Sequence, residues 1–268
     1  WSNPLIGGAI AVAETARNLV CMGARPLALT NCLNFANPEK LEIYYQLEQC
    51  ILGMQQASQR LAVPVISGNV SLYNESEDGP ILPTPLVGMV GLIDNIDKHC
   101  TPDFKNAGDL VYVVGSQKLE QNETTLGASE YLSIMKHETK GEPSIDLDLE
   151  SQIQDFVLKT IDKEVIQSAH DVSDGGIAVA VAESCIWGGI GLAGDTHAVN
   201  SSIDATLFGE AQSRIVLSVT PENSDQFESL ATEGSIPFFK LGTVHGKNLD
   251  LPGIVNLTVE QMAAAWEN

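Results

Sequence analysis

Positive charge is what this chain has least of. Its 14 Lys and Arg stand against 35 Asp and Glu, a formal net charge of −21. That excludes the clustered cations with which a non-specific nucleic-acid binder or a binder of anionic membranes displaces counterions. An anionic substrate then has to be held by backbone N–H groups, by a metal ion, or by positive charge from a partner chain. No apolar run reaches the roughly 18 residues that span a bilayer, and no basic segment followed by an apolar one reads as a secretory leader. The five cysteines, Cys21, Cys32, Cys50, Cys100 and Cys185, show no C-x-x-C spacing and no His at ligand spacing. They read as reduced, structural thiols suited to the cytoplasm. A P-loop, a G-x-G-x-x-G and a nucleophile elbow are absent too, so any nucleotide site is of another design.

What is present is enough chain, at 268 residues, for two ordinary domains. Val12, Ala16, Leu19 and Val20 recur at helical steps between Gly8 and Met22, with Glu14 and Arg17 on the opposite side. Gly23 ends that helix, and a short buried strand, Leu27 to Thr30, runs into Asn31-Cys32-Leu33-Asn34. Asn37-Pro38-Glu39 reads as an N-cap, a first-turn proline and a first-turn acid for a second helix. Its buried stripe is Leu47, Ile51, Met54, Ala57 and Leu61. Val63, Val65 and Ile66 open a buried strand, and Leu86 to Ile93 a further one. Two helix–strand units in succession predict an α/β layer. The polar segment from Asp94 to Gly108 is the expected linker.

Beyond it the pattern is α+β. Strands are expected at Leu110 to Val114, Val165 to Ala169, Arg214 to Val219 and Phe238 to Val244, and helices at Leu149 to Ile161, Gly175 to Ile186, Ser224 to Leu230 and from Val259. A loop with a short helix fills Gly115 to Pro143. His99, His137, His197 and His245 stand alone in polar context and read as surface residues.

Three polar clusters interrupt this framework. Ser67, Gly68, Asn69, Ser71, Asn74 and Glu75 follow an apolar strand and set hydroxyl, amide and carboxylate oxygens beside a glycine. This suits a phosphate or metal edge, or equally a polar turn that bonds its own backbone. Ligand sites in α/β layers gather beyond the carboxyl ends of strands, which points to Asn31 and to Gly68 through Ser71 as neighbours. The second cluster, His170-Asp171-Val172-Ser173-Asp174-Gly175-Gly176, precedes a helix. Its amides suit an anion, and Asp171 and Asp174 suit a magnesium ion or a sugar hydroxyl, or else cap the helix. His170 shows no orienting partner. In the third cluster Glu210 and Arg214 are expected to pair.

Ala13-Glu14 with Arg17-Asn18-Leu19, Thr30-Asn31-Cys32-Leu33-Asn34-Phe35, Ser67 to Glu75, Pro83-Thr84-Pro85 and His170 to Gly176 together resemble phosphoribosylformylglycinamidine synthase. The match runs nearly end to end and covers the second half of that family's chain, in keeping with a start at Trp1. It implies the aminoimidazole-ribonucleotide-synthetase fold, α/β plus α+β, with two homologous halves packed as a pseudo-dimer. Residues 1–98 look like a nucleotide domain lacking its opening strands, and 107–268 like the complete α+β domain. The activity implied is conversion of formylglycinamide ribonucleotide, ATP and glutamine-derived ammonia to the amidine, ADP and phosphate. A glutaminase subunit and a small bridging subunit are the implied partners.

Position by position, the resemblance makes Asn31 and Gly68 ATP contacts, Asn69 a magnesium ligand and Ser71 a contact to the ribonucleotide. Asp171, Ser173, Asp174, Gly175 and Gly176 form a further candidate anion or metal loop. The family's general acid/base histidine and most of its metal carboxylates belong to the other half, so no catalytic residue is expected here and the piece alone is expected to be inactive. Asn31 stands where the family has aspartate; Ala36 and Leu41 replace glycine and proline. Either this half supplies active-site groups or it is a structural nucleotide-binding scaffold.

Overall fold

The computed structural model describes residues 2–115, 123–195 and 202–267; His197 and part of the loop expected between Gly115 and Pro143 lie outside them. Helix α1, Pro4–Cys21, begins earlier than its periodicity predicts. The Asn3 side chain accepts from the Ile6 N–H and Pro4 takes the first helical position. Strand β1, Arg25–Asn34, then carries its polar end inside the strand rather than beyond it. Helix α2, Leu41–Arg60, starts after Lys40, without a side-chain cap. Asn37 is not that cap: its Oδ1 accepts from the Glu39 N–H at 2.9 Å and closes a turn ahead of the helix.

Strand β2, Val65–Ser71, pairs parallel with β1, and β5, Thr84–Leu92, pairs antiparallel on its other side. Between them the short strands β3, Glu75–Ser76, and β4, Gly79–Pro80, make a hairpin. Helices α1 and α2 cover one face of the sheet β2-β1-β5, where Ala9, Val12, Leu29, Leu33, Ile43, Cys50 and Met54 share a core. Val65 and Ile66 do not belong to that core. They are 48% and 67% exposed, because β2 is an edge strand reaching past the cover of the helices.

A seven-stranded sheet, ordered β12-β11-β8-β10-β6-β9-β7, organises the rest. Its strands are β6, Leu110–Val114; β7, Ile166–Asp171; β8, Leu192–Gly194; β9, Ile215–Val219; β10, Phe238–Val244; β11, Asn248–Leu251; and β12, Val255–Thr258. Strands β6 and β9 are buried on both faces and read as continuous apolar runs. Tyr112, Val114, Ile215 and Leu217 meet α3, Leu147–Asp162, and α6, Ser224–Glu233, on one side. Val111, Val113 and Val216 meet α4, Gly176–Gly188, with α5, Ile203–Phe208, and α7, Val259–Trp266, on the other.

The expected linker is packed rather than free: Cys100 joins the first of these cores and Phe104, 1% exposed, the second. Val20 and Cys21 at the end of α1 reach into the first core as well. Arg17, expected on a polar face, is fully buried between α1 and α3, where its Nε and a terminal nitrogen bind the two oxygens of Glu150 at 3.0 and 3.2 Å. Among the described residues no helix is long and apolar enough to cross a membrane.

Candidate functional site

Parallel pairing of β1 with β2 sets Asn31 opposite Gly68, Cys32 opposite Asn69 and Asn34 opposite Ser71. Side chains alternate across a strand, so these neighbours divide between two faces. Asn31 and Gly68 share the helix side with Leu29 and Leu33. A Cβ on Gly68 would collide with Asn31 Oδ1, so the glycine is what lets the amide lie flat across β2. Thr30, Cys32 and Asn34 share the open face with Ser67, Asn69 and Ser71. There Ser67 Oγ donates to Thr30 Oγ1 at 2.8 Å, and Asn69 Nδ2 donates to Cys32 Sγ at 3.4 Å. Ser71 Oγ accepts from Asn74 Nδ2 at 3.1 Å. The bond to Cys32 engages the nitrogen of the Asn69 amide and not its oxygen. Cys32 is half-buried here, and its place beside Asn69 was not read from the sequence.

On the helix side a cavity of about 510 Å³ lies between α2 and β2, with Asn31 in its wall. Ile51 borders it instead of joining the core, and is 44% exposed where the helical pattern predicts burial. Val65 borders it for the same reason. Ser58, Gln55 and Gln59 form the polar part of the wall. Their only sequence signal is a polar stripe on α2, which reads as solvated surface.

In the loop from His170 to Gly176 the expected aspartate cap is not formed. Gly175, in the left-handed region at φ 76°, is the N-cap of α4, and neither Asp171 nor Asp174 caps it. The Gly175 N–H donates to Glu210 Oε1 at 2.9 Å and the Gly176 N–H to the Ser173 carbonyl at 3.0 Å, so two amides expected to face an anion are satisfied within the chain. Burial pushes the Glu210 carboxyl above its usual range despite this bond and one from the Glu130 N–H. The expected Glu210–Arg214 pair is replaced by these backbone contacts, while Arg214 donates to the Ala211 and Gly209 carbonyls. Asp171 is buried, and its Oδ2 has no hydrogen-bond partner among the described residues.

His170 has a partner that sequence separation hid. Its Nε2 lies 2.9 Å from Glu183 Oε2, its ring stacks on Trp187 at 5.5 Å, and Trp266 Nε1 donates to Glu183 Oε1. Burial works against a charged ring, but the Asp171 and Glu183 carboxylates outweigh it and raise the pKa from 6.5 to about 9. A pKa raised on folding gives stability that is complete below the unfolded value of 6.5 and is lost as pH rises through about 9. The urea midpoint of the parent is therefore expected to fall over that interval relative to His170→Gln; parallel pH profiles would contradict the assignment.

Two family models match the chain: AIR synthase related protein, N-terminal domain, over residues 2–93, and AIR synthase related protein, C-terminal domain, over 106–251. The phosphoribosylformylglycinamidine synthase subunit PurL of Caldanaerobacter subterraneus is 45% identical over 273 residues, covering 99% of this chain and 36% of its own length. That of Alkaliphilus metalliredigens is 44% identical over 270 residues, with 100% and 36% covered. The chain thus spans about a third of the curated relatives it matches. Among solved structures, Thermotoga maritima PurL complexed with ATP superposes with a TM-score of 0.74 at 16% identity, covering 98% of this chain and 42% of that one. The same protein complexed with FGAR gives 0.76 at 18%, with 97% and 43% covered. The Escherichia coli hydrogenase maturation protein HypE gives 0.69 at 18%, with 94% and 78% covered. At these identities the superpositions establish the fold.

Proposed function

Because the chain belongs to the AIR synthase related proteins, we propose that it is the part of a phosphoribosylformylglycinamidine synthase that supplies one wall of the ATP and ribonucleotide site. The whole enzyme joins ammonia to formylglycinamide ribonucleotide at the expense of ATP, giving the amidine, ADP and phosphate. The observation that carries this reading is the two-sided register of β1 and β2. Asn31 borders the cavity and Gly68 lies opposite it in register, the pair assigned to ATP, while Asn69 and Ser71 face the open side, the pair assigned to metal and substrate.

Magnesium fits this wall only as a guest of the phosphates. An amide oxygen such as Asn69 Oδ1 is an acceptable hard donor, and magnesium commonly keeps water and substrate oxygens in its shell. Among the described residues no group of three or more His, Cys, Asp or Glu side chains is placed to hold a metal. The remaining ligands then come from the nucleotide and from the rest of the longer protein. When bound, the ion neutralises phosphate charge; Asn69 orients it and Ser71 positions the ribonucleotide.

The rest of the enzyme is assigned to the open face of the sheet, where Leu86, opposite Cys32, and Val90, opposite Ala28, are 57% and 58% exposed. An apolar sheet face of this kind calls for a covering partner. A glutaminase subunit and a bridging subunit complete the assembly as the source of ammonia. The test is a full-length synthetase carrying these residues. Asn69→Ala and Ser71→Ala are each expected to lower kcat/KM about tenfold, the loss of one bond to a charged group. Parent turnover in both variants would leave only a structural scaffold. The chain alone is expected to show no turnover until the remaining part is added.

A further inference from the structure

We propose that the cavity between α2 and β2 is a nucleobase pocket in which Ser58 and Gln55 read the edge of adenine. The inference rests on the nucleotide reading of Asn31 and Gly68 and says which part of the nucleotide they meet. Three features of the cavity carry it. No charged side chain lines it, so a triphosphate, which needs cations or a metal when taken out of water, does not belong there. Most of its wall is apolar, and Ile51 and Val65, 44% and 48% exposed, are the surfaces against which the faces of a flat ring pack. Its volume of about 510 Å³ is within the range of small-ligand sites.

Beyond these three, the cavity holds an orphaned group. Ser58 is 9% exposed and lines the cavity, yet its Oγ has no hydrogen-bond partner among the described residues. A hydroxyl within a helix ordinarily bonds a carbonyl one turn back, and one left unpaired at a cavity wall is a group waiting for a partner. Gln55 lies three residues before Ser58, on the same side of α2, and also lines the cavity. A hydroxyl and a carboxamide each both donate and accept. They match the adjacent donor and acceptor of adenine, its exocyclic amine and N1.

The test is titration calorimetry with ATP and with inorganic tripolyphosphate, which lacks the base, on a full-length synthetase carrying these residues, as parent, Ser58→Ala, Gln55→Leu and Asn31→Ala. The parent is expected to prefer ATP. Ser58→Ala and Gln55→Leu are each expected to weaken ATP about tenfold while leaving tripolyphosphate within about twofold, so that the preference narrows. An unchanged preference in both, with ATP weakened in Asn31→Ala, overturns the base pocket and leaves the nucleotide reading standing. Undiminished ATP binding in Asn31→Ala overturns that reading, and the pocket with it. Melting curves for each variant separate a lost contact from a lost fold.

Discussion

Arg17→Met is expected to destabilise the chain by about 3–5 kcal/mol, the cost of breaking a buried ion pair from one side. Both side chains are 0% exposed. Among the described residues Glu150 pairs with no other cation: its oxygens also accept from Gln154 Nε2 at 2.8 Å and from Ser213 Oγ at 2.5 Å, and neither neutralises its charge. Arg17 also donates to Gln212 Oε1 at 2.9 Å, so one guanidinium ties α1 to α3 and to the segment before β9. Without it a carboxylate stays in a dry seam between the two sheets, or protonates to escape. At roughly 2–4 °C per kcal/mol for a chain of this size, a midpoint lower by about 6–20 °C is expected. Adding Glu150→Leu to Arg17→Met removes the stranded charge and is expected to recover part of that loss. A single variant melting within a degree of the parent, or a double variant worse than the sum of the singles, would show that the pair is not what joins α1 to α3.

Why that pair escaped the sequence is instructive about what periodicity carries. Val12, Ala16 and Val20 mark the buried side of α1 without outside help, and Ile153, Phe156, Val157 and Ile161 do the same for α3. Arg17 looks like the solvated side because its partner is 133 residues away, and no local pattern reports a distant carboxylate. Distance along the chain hid Glu183 from His170 in the same manner. Strands β8, β11 and β12 are three or four residues long, too short for alternation to show.

Ile51, Val65 and Ile66 depart in the opposite direction: their apolar character predicts burial, and they are exposed. An edge strand and a cavity wall expose apolar groups for reasons that composition does not contain. In the site, the polar run from Ser67 to Ser71 was legible because glycine and oxygen-bearing side chains crowd one short stretch. Its pairing with Asn31 follows from two successive strands, but the division of these residues between two faces emerges only from the register. The α2 wall was not legible at all. Ser58 and Gln55 are ordinary polar residues on a helix until β2 closes the space in front of them.

The wall and the register meet at Gly68, and there Gly68→Val is expected to weaken ATP about a hundredfold while scarcely altering stability. The two effects have separate causes. A side chain on Gly68 points to the helix side, where its Cβ already collides with Asn31 Oδ1, so the amide must swing away and the branch enters the space beside the cavity. That removes the Asn31 contact and obstructs the nucleotide together, two losses of about 1.4 kcal/mol each for a combined hundredfold. Stability moves little because the atom that must yield first is the far end of the half-buried Asn31 side chain, and because a β-branched residue suits a strand better than glycine does. Asn31→Ala alone is expected to cost only the first of the two factors. Calorimetric titration of ATP beside melting curves distinguishes the outcomes. Tight binding in Gly68→Val would mean that the nucleotide lies away from this strand, and a collapsed midpoint would mean that the glycine is there for packing.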